Sequence, residues 1–427
     1  MNIRTLLIPA TVAALVASSG AEVRPSMNIG VGTRAFSMAN NYVALASDLS
    51  AVYWNPAGLA FLPVREFQIG LDGLRLSANS TIFNDKTDDS FMRLRLSQVG
   101  MLVSVPANRG GLTFAGAFLN PTIFDDIAAY TARYEDPDSP GDQIENTNDF
   151  GAHGGLRHWS LAFGTQVAKG FGVGLSASLV TGRQHREYIF ESKVNGVTVP
   201  LVDGHMQSDG FYAGYDLRVG LMYNYLDKIR IGLRAAIPQV LMLRETQDTL
   251  SDDVLDSLLG DGSVLGGSTY EGTMYSSYTG ALGLSATLPF MVVSAELRVR
   301  APYGLVFVDD PGLSSSQANH ACMEAGVGVE VPLVVIPMAA RVGYSVGQVD
   351  NHAYVVKYSG MASPDWSDDG TVAESYRHLV TGGLGLIAGK CSIDLAYGHQ
   401  MWSTSTDDVL KQDFAHDRLL LSVGFRW

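Results

Sequence analysis

Histidine and cysteine are the residues of this chain best suited to chemistry. His153, His158, His185, His205, His320, His352, His378, His399 and His416 are scattered, with no pair at the helical spacing of a metal site. Cys322 and Cys391 form no CxxC motif and no Cys/His metal spacing. Neither a metal nor another cofactor is therefore expected. Serine and histidine are too common to single out a catalytic triad. The glycine-rich stretches match neither a phosphate-binding loop nor a dinucleotide fingerprint. The chain reads as a non-enzyme.

What remains is charge, and its placement is regular. In Ile229–Ile237, the residues Ile229, Ile231, Leu233, Ala235 and Ile237 share one face, and Arg230, Gly232 and Arg234 the other. In 293–301, Val293, Ala295, Leu297 and Val299 oppose Glu296, Arg298 and Arg300. In 320–331, Met323, Ala325, Val327, Val329 and Val331 oppose Cys322, Glu324, Gly326, Gly328 and Glu330. Asp216, Arg218, Arg341, Asp394 and Arg418 are assigned to the same polar face. Such a set can hold the polar head of a ligand, or it can pair internally as a mesh. Buried charges need partners, so most weight falls on the mesh, with Arg34 as an expected participant.

Period-two alternation is the mark of a strand with two different faces. About fourteen such segments follow one another, from Glu66–Ala78 to Ala415–Trp427. Tight turns such as 169–171, 226–228 and 389–390 alternate with long polar gaps at 79–94, 121–155, 191–208, 244–268, 307–319, 348–375 and 403–413. An even number of strands, short turns on one side and long loops on the other, is the pattern of an outer-membrane β-barrel. The apolar faces then meet lipid and the charged faces the lumen. A soluble sandwich would turn the apolar faces inward instead. In the last segment Leu419, Leu421, Val423, Phe425 and Trp427 alternate to a final aromatic residue. That reads as a closing strand and as the signal used by the outer-membrane assembly machinery.

Composition agrees. Only 17% of the 427 residues are charged, 46 are glycine, and no segment beyond the N-terminus is apolar enough for a spanning helix. The net charge of −14 excludes a basic nucleic-acid surface. The acidic runs Asp85–Asp89, Glu135–Asp142, Asp248–Asp256 and Asp365–Asp369 are assigned to solvated loops. Cys322 and Cys391 fall near opposite ends of the barrel, too far apart for a disulfide.

Arg4, the apolar run Thr5–Ala17 and the small residues Ser19, Gly20 and Ala21 read as a secretory signal peptide over 1–21. Residues 66–427 are the barrel. Between them, 22–65 is neither a good strand nor a strong amphipathic helix, and reads as a compact plug. Short helical turns are expected at Val43–Ala46 and Leu49–Tyr53, the second capped by Asp48. Asn55 is expected to be extended, because it precedes Pro56.

This plug resembles a known family. The glycine-rich start, Arg34-Ala35, Ala44-Leu45-Ala46, Asp48 and Asn55-Pro56-Ala57-Gly58-Leu59 resemble the N-terminal hatch of the FadL-type outer-membrane transporters. The run Tyr53-Trp54-Asn55-Pro56-Ala57-Gly58-Leu59 is similar to the PorV-like branch. Ser47-Asp48 stands where many relatives carry two acids, and Met38, Asn40 and Asn41 where they often carry glycine. The ligand is thus left open. The resemblance implies a fourteen-stranded barrel and passive uptake of a hydrophobic molecule, such as a fatty acid. The ligand would land on the outer loops and pass when the hatch shifts, and cargo could leave sideways through the wall. Arg34, Asp48, Trp54, Asn55, Pro56 and Ala57 would set the hatch and line the ligand path. The PorV-like alternative is a barrel that binds or shuttles secreted proteins.

Two long gaps also read as amphipathic helices. Ile123, Phe124, Ile127, Tyr130 and Tyr134 fit one helical face, and Leu250, Val254, Leu255, Leu258 and Leu259 another. They would either cap the barrel or receive an apolar molecule. Expected partners are hydrophobic small molecules or lipids, the outer-membrane lipids themselves, the assembly machinery and, in the alternative reading, secreted proteins.

Overall fold

The computed structural model describes residues 27–82, 85–105, 111–136, 139–198, 204–250, 268–275, 278–301, 304–307, 321–333, 336–348, 376–406 and 410–427. The proposed signal peptide, residues 251–259 and Asp365–Asp369 lie outside them. Among the described residues no helix is long and apolar enough to cross a membrane.

Fourteen antiparallel strands close into a barrel. They are β1 Arg65–Ile82, β2 Asp85–Val105, β3 Leu112–Ile123, β4 Gln143–Ala168, β5 Phe171–Val194, β6 Gly204–Tyr225 and β7 Ile229–Leu250. The circuit continues with β8 Thr279–Thr287, β9 Val292–Arg300, β10 Cys322–Leu333, β11 Met338–Gln348, β12 Tyr376–Ala388, β13 Cys391–Thr406 and β14 Leu410–Arg426. β14 pairs with β1 from Arg426↔Glu66 to Leu410↔Ile82, which leaves no free edge at the seam. Cys322 begins β10 at the long-loop end and Cys391 begins β13 at the short-turn end; both are free thiols.

Alternation explains the wall. Along β1 the exposed residues are Phe67, Ile69 and Leu71, while Glu66, Gln68 and Asp72 are buried. Along β14 Leu419, Leu421, Val423 and Phe425 are exposed, while Arg418 and Ser422 are buried. An exposed apolar face over a buried polar one is the inverse of a soluble protein and suits a wall that meets lipid.

The strands run further than alternation alone predicts. β4 has 26 residues and β5 has 24, against about 9–11 needed to span a bilayer. The expected loop at 79–94 is therefore largely strand, and Asp85–Asp89 lie in β2. Above the lipid band the outward residues turn polar, so the apolar rhythm ends while the hydrogen-bond ladder continues. The expected helix over Ile123–Tyr134 is not formed. Asp126–Glu135 is instead a strand paired with Gln143–Ala152 of β4. A ready partner strand and residues such as Ile127, Tyr130 and Thr131 favour the ladder over the helix.

The wall has one break among the described residues. β2 and β3 pair only from Val105↔Leu112 to Gln98↔Leu119. The β3–β4 register then slips between Leu119 and Thr122, around Pro121, which has no N–H to give the ladder. Beyond this point the backbone ladder of β2 continues with β1 alone, and higher up the Arg133 amide and guanidinium of the 126–135 strand bond to Asp85. Arg93 to Asp125, 2.5 Å, and the Asn120 amide to the Leu96 carbonyl, 3.3 Å, bridge the break.

Candidate functional site

Residues 29–64 fill the lumen and supply its largest fully buried side chains, among them Tyr42, Tyr53, Phe36, Met38, Leu49 and Leu59. The plug starts with Met27–Asn28, paired with Thr122–Ile123 beside the wall break. The amides of Ile29 and Gly30 both donate to the Pro121 carbonyl. Two short helices follow, α1 Thr33–Phe36 and α2 Ala51–Trp54, then a 3-10 turn over Pro56–Phe61. Between them Ala39 and Asn40 take left-handed backbone angles, φ 51 and 63. That conformation favours glycine or asparagine, and Asn40 meets that preference.

The plug fits because the wall recedes from it. At mid-height, lumen-facing glycines recur around the barrel: Gly164, Gly174, Gly220, Gly232, Gly283, Gly326, Gly328, Gly343, Gly383 and Gly398. Gly164, Gly174 and Gly220 are directly in register across β4, β5 and β6, and Gly232 faces Gly283 across β7 and β8. A methyl group at Gly174 would strike the Pro56–Ala57 peptide, at Gly232 the Val43 carbonyl, and at Gly343 the Met38–Ala39 peptide. Side chains are absent from the wall where the plug backbone needs the space.

Asn55 is the central polar residue of the plug. It is extended, φ −162 and ψ 101, as its place before Pro56 requires. Its Nδ2 donates to the Val43 carbonyl at 2.8 Å and to the wall carbonyl of Leu221 at 3.1 Å, while its Oδ1 accepts from the Ala57 amide. Asp48 Oδ1 accepts from the Ser50 amide and hydroxyl, which secures the entry to α2. Trp54 Nε1 donates to the Val31 carbonyl at 2.7 Å.

Toward the short-turn end a chain of ion pairs joins plug to wall. Arg34 meets Glu330 through Nε at 2.9 Å and Nη2 at 2.8 Å. Glu330 also accepts from Arg341 Nε at 2.6 Å, and Arg341 Nη1 donates to Asp394 at 2.6 Å. Arg34 further donates to Ser47 Oγ. The Tyr42 hydroxyl donates to Asp48 Oδ2 at 3.1 Å. Burial pushes the Tyr42 phenol well above its ordinary range, against the opposing pull of Arg34.

Toward the long-loop end lies a second polar layer. Glu296 accepts from the Val43 amide at 2.8 Å. Arg298 pairs with Glu296 and Glu324, and Arg377 with Glu324. Arg218 pairs with Asp216, donates to the Tyr53 carbonyl at 3.0 Å and lies 3.7 Å over the Tyr53 ring. Arg418 shares Asp72 with Arg95 and donates to the Ile29 carbonyl. Arg234 differs from Arg298 and Arg218 in having no ion pair among the described residues, and its Nε is buried without a hydrogen-bond partner. Arg230 lies toward the short-turn end, half-buried. Arg300, two residues beyond Arg298, lies toward the long-loop end.

Four members of these layers were not singled out from the sequence: Asp72, Arg95, Arg377 and His158, whose Nδ1 lies 3.5 Å from Asp216. Asp72 was legible, since it shares a face with Glu66 and Gln68. Arg95 was not, because a bulge at Ser97 shifts the face of everything before it. Above the second layer an apolar cluster joins Ile29, Leu74, Leu76, Ala78, Ile123, Ile127, Trp402 and Phe414. It borders the wall break at Ile123. Among the described residues no group of three or more His, Cys, Asp or Glu is placed to hold a metal ion.

The closed fourteen-stranded barrel matches the barrels of solved FadL-type transporters. The toluene transporter TodX of Pseudomonas putida superposes with a TM-score of 0.59 and 14% identity, covering 94% of this chain and 99% of that one. A Pseudomonas aeruginosa FadL homologue gives 0.60 and 13%, covering 95% and 99%. The toluene transporter TbuX of Ralstonia pickettii gives 0.56 and 13%, covering 93% and 99%. At such identity the likeness is one of fold. No family model and no curated protein sequence matches this chain.

Proposed function

We propose that this chain is an outer-membrane barrel that admits hydrophobic small molecules passively. The observation that carries the reading is the wall break beside the apolar cluster that lies above the plug. A molecule entering from the long-loop end meets the cluster around Trp402, Phe414, Leu74 and Ile123. Below that cluster the path is filled by the plug. The gap between β2 and β3 is the nearest exit, and it leads sideways into the apolar layer rather than down into water. The plug's first residues hydrogen-bond to Pro121, so plug position and exit shape are coupled.

In this reading Asn55, Pro56 and Ala57 hold the plug fixed, and Trp54 and Asp48 brace it. Arg34, Arg230, Arg298, Glu296, Glu324 and Arg341 belong to the mesh that seats it. Arg234 is the residue of the set best placed to meet a polar head group. Toluene is what two of the similar structures are named for carrying, and a small apolar molecule of that kind is a natural first candidate beside long-chain fatty acids. The spelling Tyr53–Leu59 and the tall strands β4 and β5 favour, as a second reading, a barrel that engages secreted proteins.

The test is a disulfide across the break, Leu96→Cys with Asn120→Cys, in a chain lacking Cys322 and Cys391. Uptake of toluene or a fatty acid into cells should stop when the bond is oxidised and return on reduction. Undiminished uptake under oxidation rejects the sideways route. Absence of any uptake or copurified apolar molecule, with a secreted protein bound instead, supports the second reading.

A further inference from the structure

The outward face of the barrel carries a basic site just above the lipid band, on β4, β5 and β6. On β4 the exposed sequence runs Val167, Phe163, Leu161 and Trp159, then Arg157. The eight residue steps from Val167 to Trp159 rise about 20 Å at typical strand pitch and tilt. Trp159 therefore sits near the upper interface, where aromatic residues gather, and Tyr215 of β6 lies on the same outward row through Leu179. Arg157 is one outward step higher, paired with Thr181, and Arg183 of β5 is one step higher still, paired with Gly155.

The two guanidinium groups are thus diagonal neighbours, with about 7–8 Å between their backbones. Arg183 lies 4.5 Å over the ring of Phe211, its partner on β6. Among the described residues neither Arg157 nor Arg183 has a hydrogen bond or ion pair with an acid. The nearest acid on the next row, Asp209, is engaged by His185 Nδ1 at 2.9 Å, and Glu187 is engaged by His205. Arg244, beyond Phe211, faces Glu271 in register and is not counted.

Several other polar groups on the outward face are bonded to one another. Tyr344 is bonded to His378, and both Tyr397 and His399 are bonded to Asp417. Among the described residues Arg157 and Arg183 are adjacent and without an acid partner, in a chain of net charge −14. A planar guanidinium matches a phosphate through two parallel bonds.

We propose that Arg157 and Arg183, with Phe211 stacked against the second, dock the phosphorylated head group of an outer-leaflet glycolipid. The site faces bulk lipid, so the acyl chains lie along Trp159, Leu161 and Leu179. The proposal rests on the membrane placement and not on the cargo. Failure of toluene or fatty-acid uptake therefore leaves it standing.

The experiment is native mass spectrometry of the folded barrel in mild detergent. The probes are a diphosphorylated glucosamine-disaccharide lipid and its dephosphorylated form. The diphosphorylated lipid should bind at least about tenfold more tightly than the other, and Arg157→Gln with Arg183→Gln should remove that difference. Phe211→Ala should weaken binding by a smaller factor. Heat-modifiable gel migration confirms that each variant is folded, and all three positions are exposed. Equal binding of both lipids, an unaffected double variant, or full displacement by millimolar inorganic phosphate overturns the proposal.

Discussion

Removing Glu330 should loosen the plug far more than removing its partner Arg34. Arg34→Ala deletes a bidentate pair at 2.9 and 2.8 Å. Glu330, however, keeps Arg341 at 2.6 Å, and Arg341 keeps Asp394. No charge is left alone. The Arg34 side chain is 26% exposed, so the loss should be about 1–2 kcal/mol. Glu330→Ala leaves Arg34 with only the Ser47 hydroxyl as a hydrogen-bond partner. Stranding a buried guanidinium costs about 3–5 kcal/mol, and the partial exposure of Arg34 holds the cost to the lower end of that range. The gap of about 2 kcal/mol corresponds to roughly 30-fold in the plug-opening equilibrium. Val52, 1% exposed in α2, provides the readout as Val52→Cys in a chain lacking the native cysteines. Its labelling rate by a thiol reagent reports opening. Glu330→Ala should label fastest, Arg34→Ala little faster than the parent, and the double variant should fall below the sum of the two. Equal rates for the two single variants would refute the reasoning.

Other outcomes follow from the same geometry. Gly174→Val should block folding of the barrel, whereas Gly280→Val, with open space around its Cβ, should fold normally; heat-modifiable gel migration distinguishes them. Asn55→Ala removes bonds to Val43, Leu221 and Ala57 and should cost about 2–3 kcal/mol in plug seating, read by the same Val52→Cys labelling. The Tyr42 phenol is raised in the folded state, so its contribution is complete below the unfolded value of about 10 and is lost as pH rises beyond it. Labelling should therefore accelerate in alkali, and Tyr42→Phe should remove that acceleration.

Much of this architecture was legible because a lipid-facing strand writes its period twice, once in apolar residues and once in the polar residues between them. Tyr376–Ala388 was placed to the residue. Legibility ended where lipid ended. Above Trp159 the outward residues of β4 become Arg157, His153 and Asp149, and nothing in composition then separates strand from loop. The segment Ile123–Tyr134 misled for a related reason. Its large residues fall at helical intervals, but its buried face is Ala128, Tyr130 and Ala132, and small alanines carry no signal. The pairing of Arg34 with Glu330 spans 296 positions and is invisible to any local pattern. Single residues on a polar face could be named, but not which two would meet. The glycines were counted as composition, and their common height appears only once register is fixed.

Those glycines have a consequence for how the molecule is made. A wall stripped of side chains at one level is an imprint of the chain that lies against it. Without residues 29–64 the barrel would be roomiest at the level of these glycines. Plug and wall therefore cannot be independent modules joined at residue 65. The seam between β14 and β1 should close around a plug already in place, because a finished cylinder offers no route by which so closely fitted a core could enter.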